Sequence, residues 1–273
     1  MFNFSFFKGR VAPRMQATTG FDFGRMLTWR ILRGSHEFPG PDGGTCVNEA
    51  AIVAAGYPYT PVRRIDDCPA SFSRPLALYA MCLNEIVLDD TLRQELLLPF
   101  VTRLAGAADT PEVDLQRVAL ILQRTVAEIV PEAFDWLGRS REARRCRAVT
   151  TADEAVAVVK TFLGQEWRGA RLSGLMSSLS MATEDYLSGR AIDVAQYCGT
   201  AIADVAEIIG SVGGRGAPKA AEAVYRCGTA ILDGALRIGN SAEPIAPDVV
   251  VRRMDTVRQS AASERRRSVS MVE

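Results

Sequence analysis

Apolar residues recur at spacings of three and four along most of this chain, and that period predicts helices. The first is short. After the turn signal Pro39-Gly40-Pro41-Asp42-Gly43-Gly44, Thr45 reads as an N-cap, and Val47, Ala50, Ala51, Ala54 and Ala55 form an apolar helix that Gly56 ends. Tyr57 to Asp67 reads as extended loop. A second helix starts near Ser71 with Pro75 in its first turn, carrying Leu76, Tyr79, Ala80, Leu83 and Val87. Asp89 or Asp90 caps the next, which holds Leu92, Leu96, Leu97, Phe100 and Leu104, and Pro99 should kink or split it. Thr110-Pro111-Glu112 opens a helix through Val113, Val118, Leu122, Val126 and Ile129, disturbed at Pro131.

Residues 138–147, GRSREARRCR, interrupt this pattern with five arginines and one glutamate. The composition break places a linker at 139–149, between an N-terminal helical domain at 26–138 and a C-terminal helical domain at 150–240. Thr151 and Glu154 have the spacing of a capping box, and glycines at 164, 169 and 174 divide 152–188 into two helices. Residues 1–25 lack helical periodicity and read as a flexible tail. Residues 241–273 read as a second, arginine-rich flexible tail.

An internal repeat marks the C-terminal domain. CGTAIADVAEIIG at 198–210 and CGTAILDGALRIG at 227–239 stand 29 residues apart, sharing Cys, Gly, Thr, Ala, Ile, Asp, Ala, Ile and Gly in register. Two similar helices joined by the glycine-rich 210–218 predict an antiparallel hairpin packed against 152–188. Cys198, Ile202, Val205 and Ile209 form one stripe, and Cys227, Ile231 and Ile238 its partner. Gly199, Ala203 and Gly228 would let backbones approach closely. The fold expected is all-α: an N-terminal helical domain plus a C-terminal hairpin or bundle containing the two-copy repeat.

Composition narrows the classes. Lys+Arg and Asp+Glu balance at 32 each, so the field of a dedicated nucleic-acid binder is absent. Only Lys8, Lys160 and Lys219 are lysines, which reflects either a GC-rich genome or arginine-based phosphate binding. The 249–273 segment holds six arginines and three acids, against eight cations and twelve acids in 151–248, so it could fold back on its own domain. No run of about 18 uncharged apolar residues spans a membrane. Six scattered cysteines without a CxxC pair, and a Phe-alternating start lacking an h-region, fit the reduced cytoplasm with no membrane partner.

The candidate chemistry sits at Gly43-Gly44-Thr45-Cys46-Val47-Asn48-Glu49. A cysteine in a first helical turn gains thiolate character from the macrodipole and free amides. His36, the only histidine, lies ten residues upstream. Cys46 and His36 are thus the minimum of a nucleophilic pair, with Asn48, Glu49 or Glu37 as orienter. The alternatives are an anion site on the amides of Gly43, Gly44 and Thr45, and a plain structural turn. His36, Cys46, Cys68 and Cys82 are ligand types that zinc accepts, but their spacing matches no zinc motif, so no metal or other cofactor is expected. Glycines 210–217 follow a helix and lack GK[ST], so they form no P-loop. Asp204 and Asp233, equivalent in the repeat, read as solvated. Arg141, Arg144 and Arg145, with Arg265, Arg266 and Arg267, are the residues that would touch phosphate backbones, though no groove-reading motif accompanies them.

The segments GPDGGTCVNEAAIVAAG, DDCPASFSRPLALYA, LLLPFVTRLAG and DTPEV resemble a family of uncharacterised bacterial and phage-associated proteins. The likeness lies in 39–55 and 66–115, roughly the first two fifths of the chain. It implies no activity. The family pattern often has a second cysteine in the stretch matching Cys68-Pro69-Ala70-Ser71; its absence here weakens the zinc reading further. Function is therefore expected to be non-enzymatic, through a protein partner or a second copy of the chain. A hydrolase or transferase using Cys46 and His36, and a nucleic-acid contact through the arginines, are the alternatives.

Overall fold

A computed structural model describes residues 29–37, 44–163, 165, 167, 169–239 and 244–270, with side chains described as far as 263. The fold is all-α. Its only strands among the described residues are the two-residue β1 (Arg30–Ile31) and β2 (Gly44–Thr45), paired in parallel. Gln94 completes the free edge of β1: its Nε2 donates to the Trp29 carbonyl at 3.2 Å and its Oε1 accepts from the Ile31 amide. One side-chain amide thus supplies the donor and the acceptor that a neighbouring strand would.

The helices follow the apolar period with local corrections. In α1 (Val47–Ala54) all eight residues are buried, and its N-cap is Cys46 rather than Thr45. Ser73 caps α2 (Arg74–Ile86), with proline in the first turn. Asp89 caps α3 (Asp90–Leu97), and at Pro99 the helix gives way to a 3-10 turn, Leu98–Phe100. Thr110 caps α4 (Pro111–Arg124). The disturbance expected near Pro131 is a π-helical turn at Thr125–Ile129, after which the chain resumes as α5 (Val130–Trp136). Proline brings no amide hydrogen to the backbone ladder, so a wider turn is tolerated beside it.

The segment 139–149 is not a linker. Ser140–Arg147 form helix α6, which tucks Ala143 and Cys146 into the core against α5 and turns its arginines outward. Then come α7 (Ala152–Leu163) and α8 (Ala170–Leu187). The capping box is only half formed. Thr151 Oγ1 accepts from the Glu154 amide, but the Glu154 carboxylate accepts from Thr150.

The repeat copies lie in α9 (Ala191–Val212) and α10 (Ala217–Ala235), packed as a hairpin. Gly213 ends α9 at φ +75°, a left-handed value that a side chain would strain. Helix α9 is the centre of the molecule, in contact with α8, α2, α10, α5 and α4. Its predicted stripe, Cys198, Ile202, Val205 and Ile209, is fully buried. In α10 the buried face is Val224, Gly228, Ile231, Leu232 and Ala235, which leaves Cys227 at the margin. Because α2 packs on α9 and α10, the expected separation into domains at 26–138 and 150–240 gives way to one shared core.

The two glycines that open the repeat copies make that core possible. A Cβ at Gly199 would stand 2.5 Å from Cys82 Cβ, and one at Gly228 would stand 2.9 Å from Leu83 Cδ2. Consecutive residues of α2 thus bear on the same repeat position in α9 and α10. Asp204 and Asp233 diverge: Asp204 accepts from Ser178 at 2.8 Å, while Asp233 pairs with Arg103 and Arg237. Neither is the freely solvated group expected.

Most of the expected C-terminal tail is helix α11 (Pro247–Ser270), which lies on α1. Val250 and Met254 are buried there, and Arg253 Nη1 donates to the Ala54 carbonyl at the end of α1 at 2.5 Å. The expected N-terminal tail, 1–25, lies outside the described residues.

Candidate functional site

The cysteine–histidine candidate is built around a carboxylate. Glu49 sits three residues after the N-cap Cys46 and is wholly buried. Its Oε1 accepts from Ser35 Oγ at 2.8 Å, the His36 amide at 3.0 Å and the Val62 amide at 3.0 Å. Its Oε2 accepts from the Cys46 amide at 2.8 Å, with Thr45 Oγ1 and the Tyr59 hydroxyl each at 3.2 Å. Six donor groups from the chain before β2, the start of α1 and the 57–67 loop therefore converge on one anion. Charge-assisted hydrogen bonds of this kind are the stronger class, and here they replace a counter-cation.

This arrangement reverses the expectation for Cys46. Its Sγ accepts from the Glu49 amide at 3.4 Å, as a cap does. Burial pushes the thiol well above its ordinary pKa, and the neighbouring Glu49 charge pushes the same way. The helix-terminus amides do lower it, but as the smaller effect. Desolvation beats the dipole because Cys46 is only 3% exposed. The thiol stays protonated, so the feature that suggested a nucleophile is absent.

His36 is tied in through its main chain. Its amide donates to Glu49, and its carbonyl, at 2.8 Å, shares the single Tyr59 phenol hydrogen with Glu49 Oε2. Its ring Nε2 is buried without a hydrogen-bond partner. Asn48, expected as an orienter, instead donates Nδ2 to the Ala77 carbonyl of α2 at 2.9 Å, away from the histidine. Burial and Glu49 likewise push the Tyr59 phenol up.

The anion site fares no better. Gly43 lies outside the described residues, and Gly44 and Thr45 are buried in β2. The amides that follow them at the start of α1 already have partners. Cys46 N donates to Glu49, Val47 N to Asn84 Oδ1 at 3.3 Å, and Glu49 N to Cys46 Sγ. A dipole-stabilised anion is present, and it is the protein's own Glu49.

The other thiols repeat the pattern. Burial pushes Cys68 up to about 11, and Cys82, Cys146, Cys198 and Cys227 up to about 12. Among the described residues no three His, Cys, Asp or Glu side chains stand together as a metal site, so Cys46, Cys68, Cys82 and His36 do not assemble. No helix among them is long and apolar enough to cross a membrane.

Outside this centre, a groove of about 620 Å³ lies between β1 and α3, lined by Ile31, Leu98 and Pro99 together with Arg30, Asp90 and Gln94. A second, of about 490 Å³, lies where α2, α4 and α9 begin and is lined by charges of both signs. Arg141, Arg144 and Arg145 are exposed on α6, and Arg265, Arg266 and Arg267 belong to α11 with side chains outside the described residues.

Tyr59, Ser35 and Asn84 belong to the Glu49 centre and carry no sequence signal of it. Glu49 itself does: a glutamate three residues after an N-cap is the second half of a capping box, once the cap is moved from Thr45 to Cys46. Compared with protein-family models, curated proteins and solved structures, the chain matches none.

Proposed function

We propose that this chain is a non-enzymatic helical protein that works by binding another protein or a second copy of itself. The observation that carries this reading is the fate of the polar groups around Glu49. Those with the composition of a reactive centre hold α1, β2, the Ser35–His36 segment and the 57–67 loop together and present no accessible thiol. Unspent apolar surface supports the same reading. Leu88 is 71% exposed, and it stands in the turn before α3, whose Asp90 and Gln94 border the 620 Å³ groove. Leu187 and Val212, at the ends of α8 and α9, are also exposed. Gly199 and Gly228 serve close contacts inside the molecule, so this reading rests on exposed side chains and not on the repeat.

Light scattering coupled to size exclusion tests self-association, expected to weaken in Leu88→Glu. Thiol labelling tests the competing enzyme reading. Native Cys46 should remain unlabelled near neutral pH, and fast, selective labelling there would return the Cys46–His36 reaction to first place.

A further inference from the structure

Helix α6 breaks the rules that stabilise a helix on its own. Its N-cap, Arg139, makes no side-chain cap hydrogen bond. Arg141 occupies the first turn, where the positive end of the helix dipole disfavours a cation. Arg144 and Arg145 follow at i+3 and i+4 on the same face, where like charges repel. Arg139 pairs with Glu142 and lies 4.6 Å over the Trp167 ring, and Arg147 pairs with Glu132 and Asp135. Arg141, Arg144 and Arg145 are exposed and enter no ion pair among the described residues, although the Arg145 guanidinium lies 5.9 Å over the Phe162 ring. The last turn of a helix favours cations, which accounts for Arg144 and Arg145 in part. It leaves Arg141, and the repulsion among the three, without a folding role.

We infer that the exposed face of α6 binds the phosphate backbone of a nucleic-acid duplex. Guanidinium groups keep their charge and present planar forks that match phosphate oxygens. The exposed residues of α6 include no large apolar side chain to insert among lipid tails. The neighbouring rings are not free to stack on bases: Phe162 is buried and Trp167 lies under Arg139. Contact with the backbone without base readout is what remains. The chain's formal net charge is zero, so the attraction is local and sensitive to salt.

The full chain is titrated with a fluorescent mixed-sequence DNA duplex, by anisotropy, from about 50 to about 200 mM salt. Three phosphate contacts predict a log–log slope of about −2.7. The R141E/R144E/R145E variant should bind at least about tenfold more weakly. R33E/R63E/R171E makes the same change of net charge on arginines that are ion-paired elsewhere, and should stay close to the parent. If circular dichroism shows the reversal variant unfolded, R141Q/R144Q/R145Q takes its place. No binding at the lowest salt, equal weakening by both triple variants, or sedimentation with phosphatidylglycerol vesicles but no duplex binding overturns the inference. It stands apart from the protein-partner reading. A monomer that binds duplex through α6 would remove the self-association arm of that reading and keep this one, and a self-associating chain indifferent to duplex would do the reverse.

Discussion

The start of α1 and the outer face of α6 make an instructive pair. Both concentrate polar groups on a short helix, and both stand apart from the apolar pattern around them. At α1 most of the candidate reactive groups have internal partners, the buried His36 Nε2 and Asn48 Oδ1 excepted. Cys46 caps, Glu49 collects six donors, and Asn48 reaches α2. At α6 three arginines face solvent without an ion pair among the described residues, since Glu142 pairs with Arg139, and one of the three opposes its own helix dipole. Buried polar groups must find partners or the fold fails, so an apparent constellation in a core is first a packing solution. Exposed charges carry no such obligation. Where they accumulate against local stability, their reason lies outside the chain.

The largest break in this contrast comes from Glu49. Glu49→Gln keeps the shape but turns one acceptor oxygen into a donor facing donors, several of them buried. A loss of about 3–5 kcal/mol is expected in urea unfolding. A loss below about 1 kcal/mol would mean that the six contacts do not hold the fold together.

The repeat offers the next test. Gly199→Ala drives a methyl to 2.5 Å from Cys82 Cβ, which is backbone-fixed, whereas Gly228→Ala meets a movable Leu83 methyl at 2.9 Å. Overpacking costs of about 1–3 kcal/mol are expected, larger at Gly199 than at Gly228. The reverse order, by thermal or urea denaturation, would contradict the central position of α9.

The buried thiols offer a test by pH. The folded-state pKa of Cys82, Cys146, Cys198 and Cys227 is raised to about 12 by burial. Unfolded thiols ionise near about 8.5. The folded chain therefore holds protons that the unfolded chain has released. Their contribution is intact below about 8.5 and is lost as pH rises toward about 12. Unfolding midpoints should fall from pH 8 to pH 10, and fall less in Cys198→Ala. A flat profile would indicate exposed thiols. Smallest of all, Arg141→Gln should leave stability unchanged or raise it by about 0.3–1 kcal/mol, since a cation leaves the positive end of α6. A clear loss would reveal a folding partner for that arginine.

Much of the fold was legible from periodicity. Ser73, Asp89 and Thr110 cap where short polar residues precede apolar runs, and Pro99 and Pro131 disturb their helices where a missing amide must. The repeat marked α9 and α10, and the buried stripe of α9 was correct to the residue. The site was legible in its membership but not in its sense. Cys46 and the His36 main chain do meet at Glu49 while Asn48 turns to α2, and local spacing gives no measure of how deeply a sulfur is buried. Burial decides whether the dipole or desolvation sets its pKa. Tyr59 and Asn84 enter from other segments and had no local signature.

Helix positions, caps and the apolar faces follow from neighbours a few residues apart, so they belong to the amino-acid order. Three outcomes depended on long-range packing instead. Arginine-rich 139–147 became a core-anchored helix through Ala143 and Cys146, the C-terminal segment settled on α1 through Val250 and Met254, and two expected domains merged around α9. Each turns on apolar area buried between segments far apart in the chain, a quantity set only when the whole molecule closes.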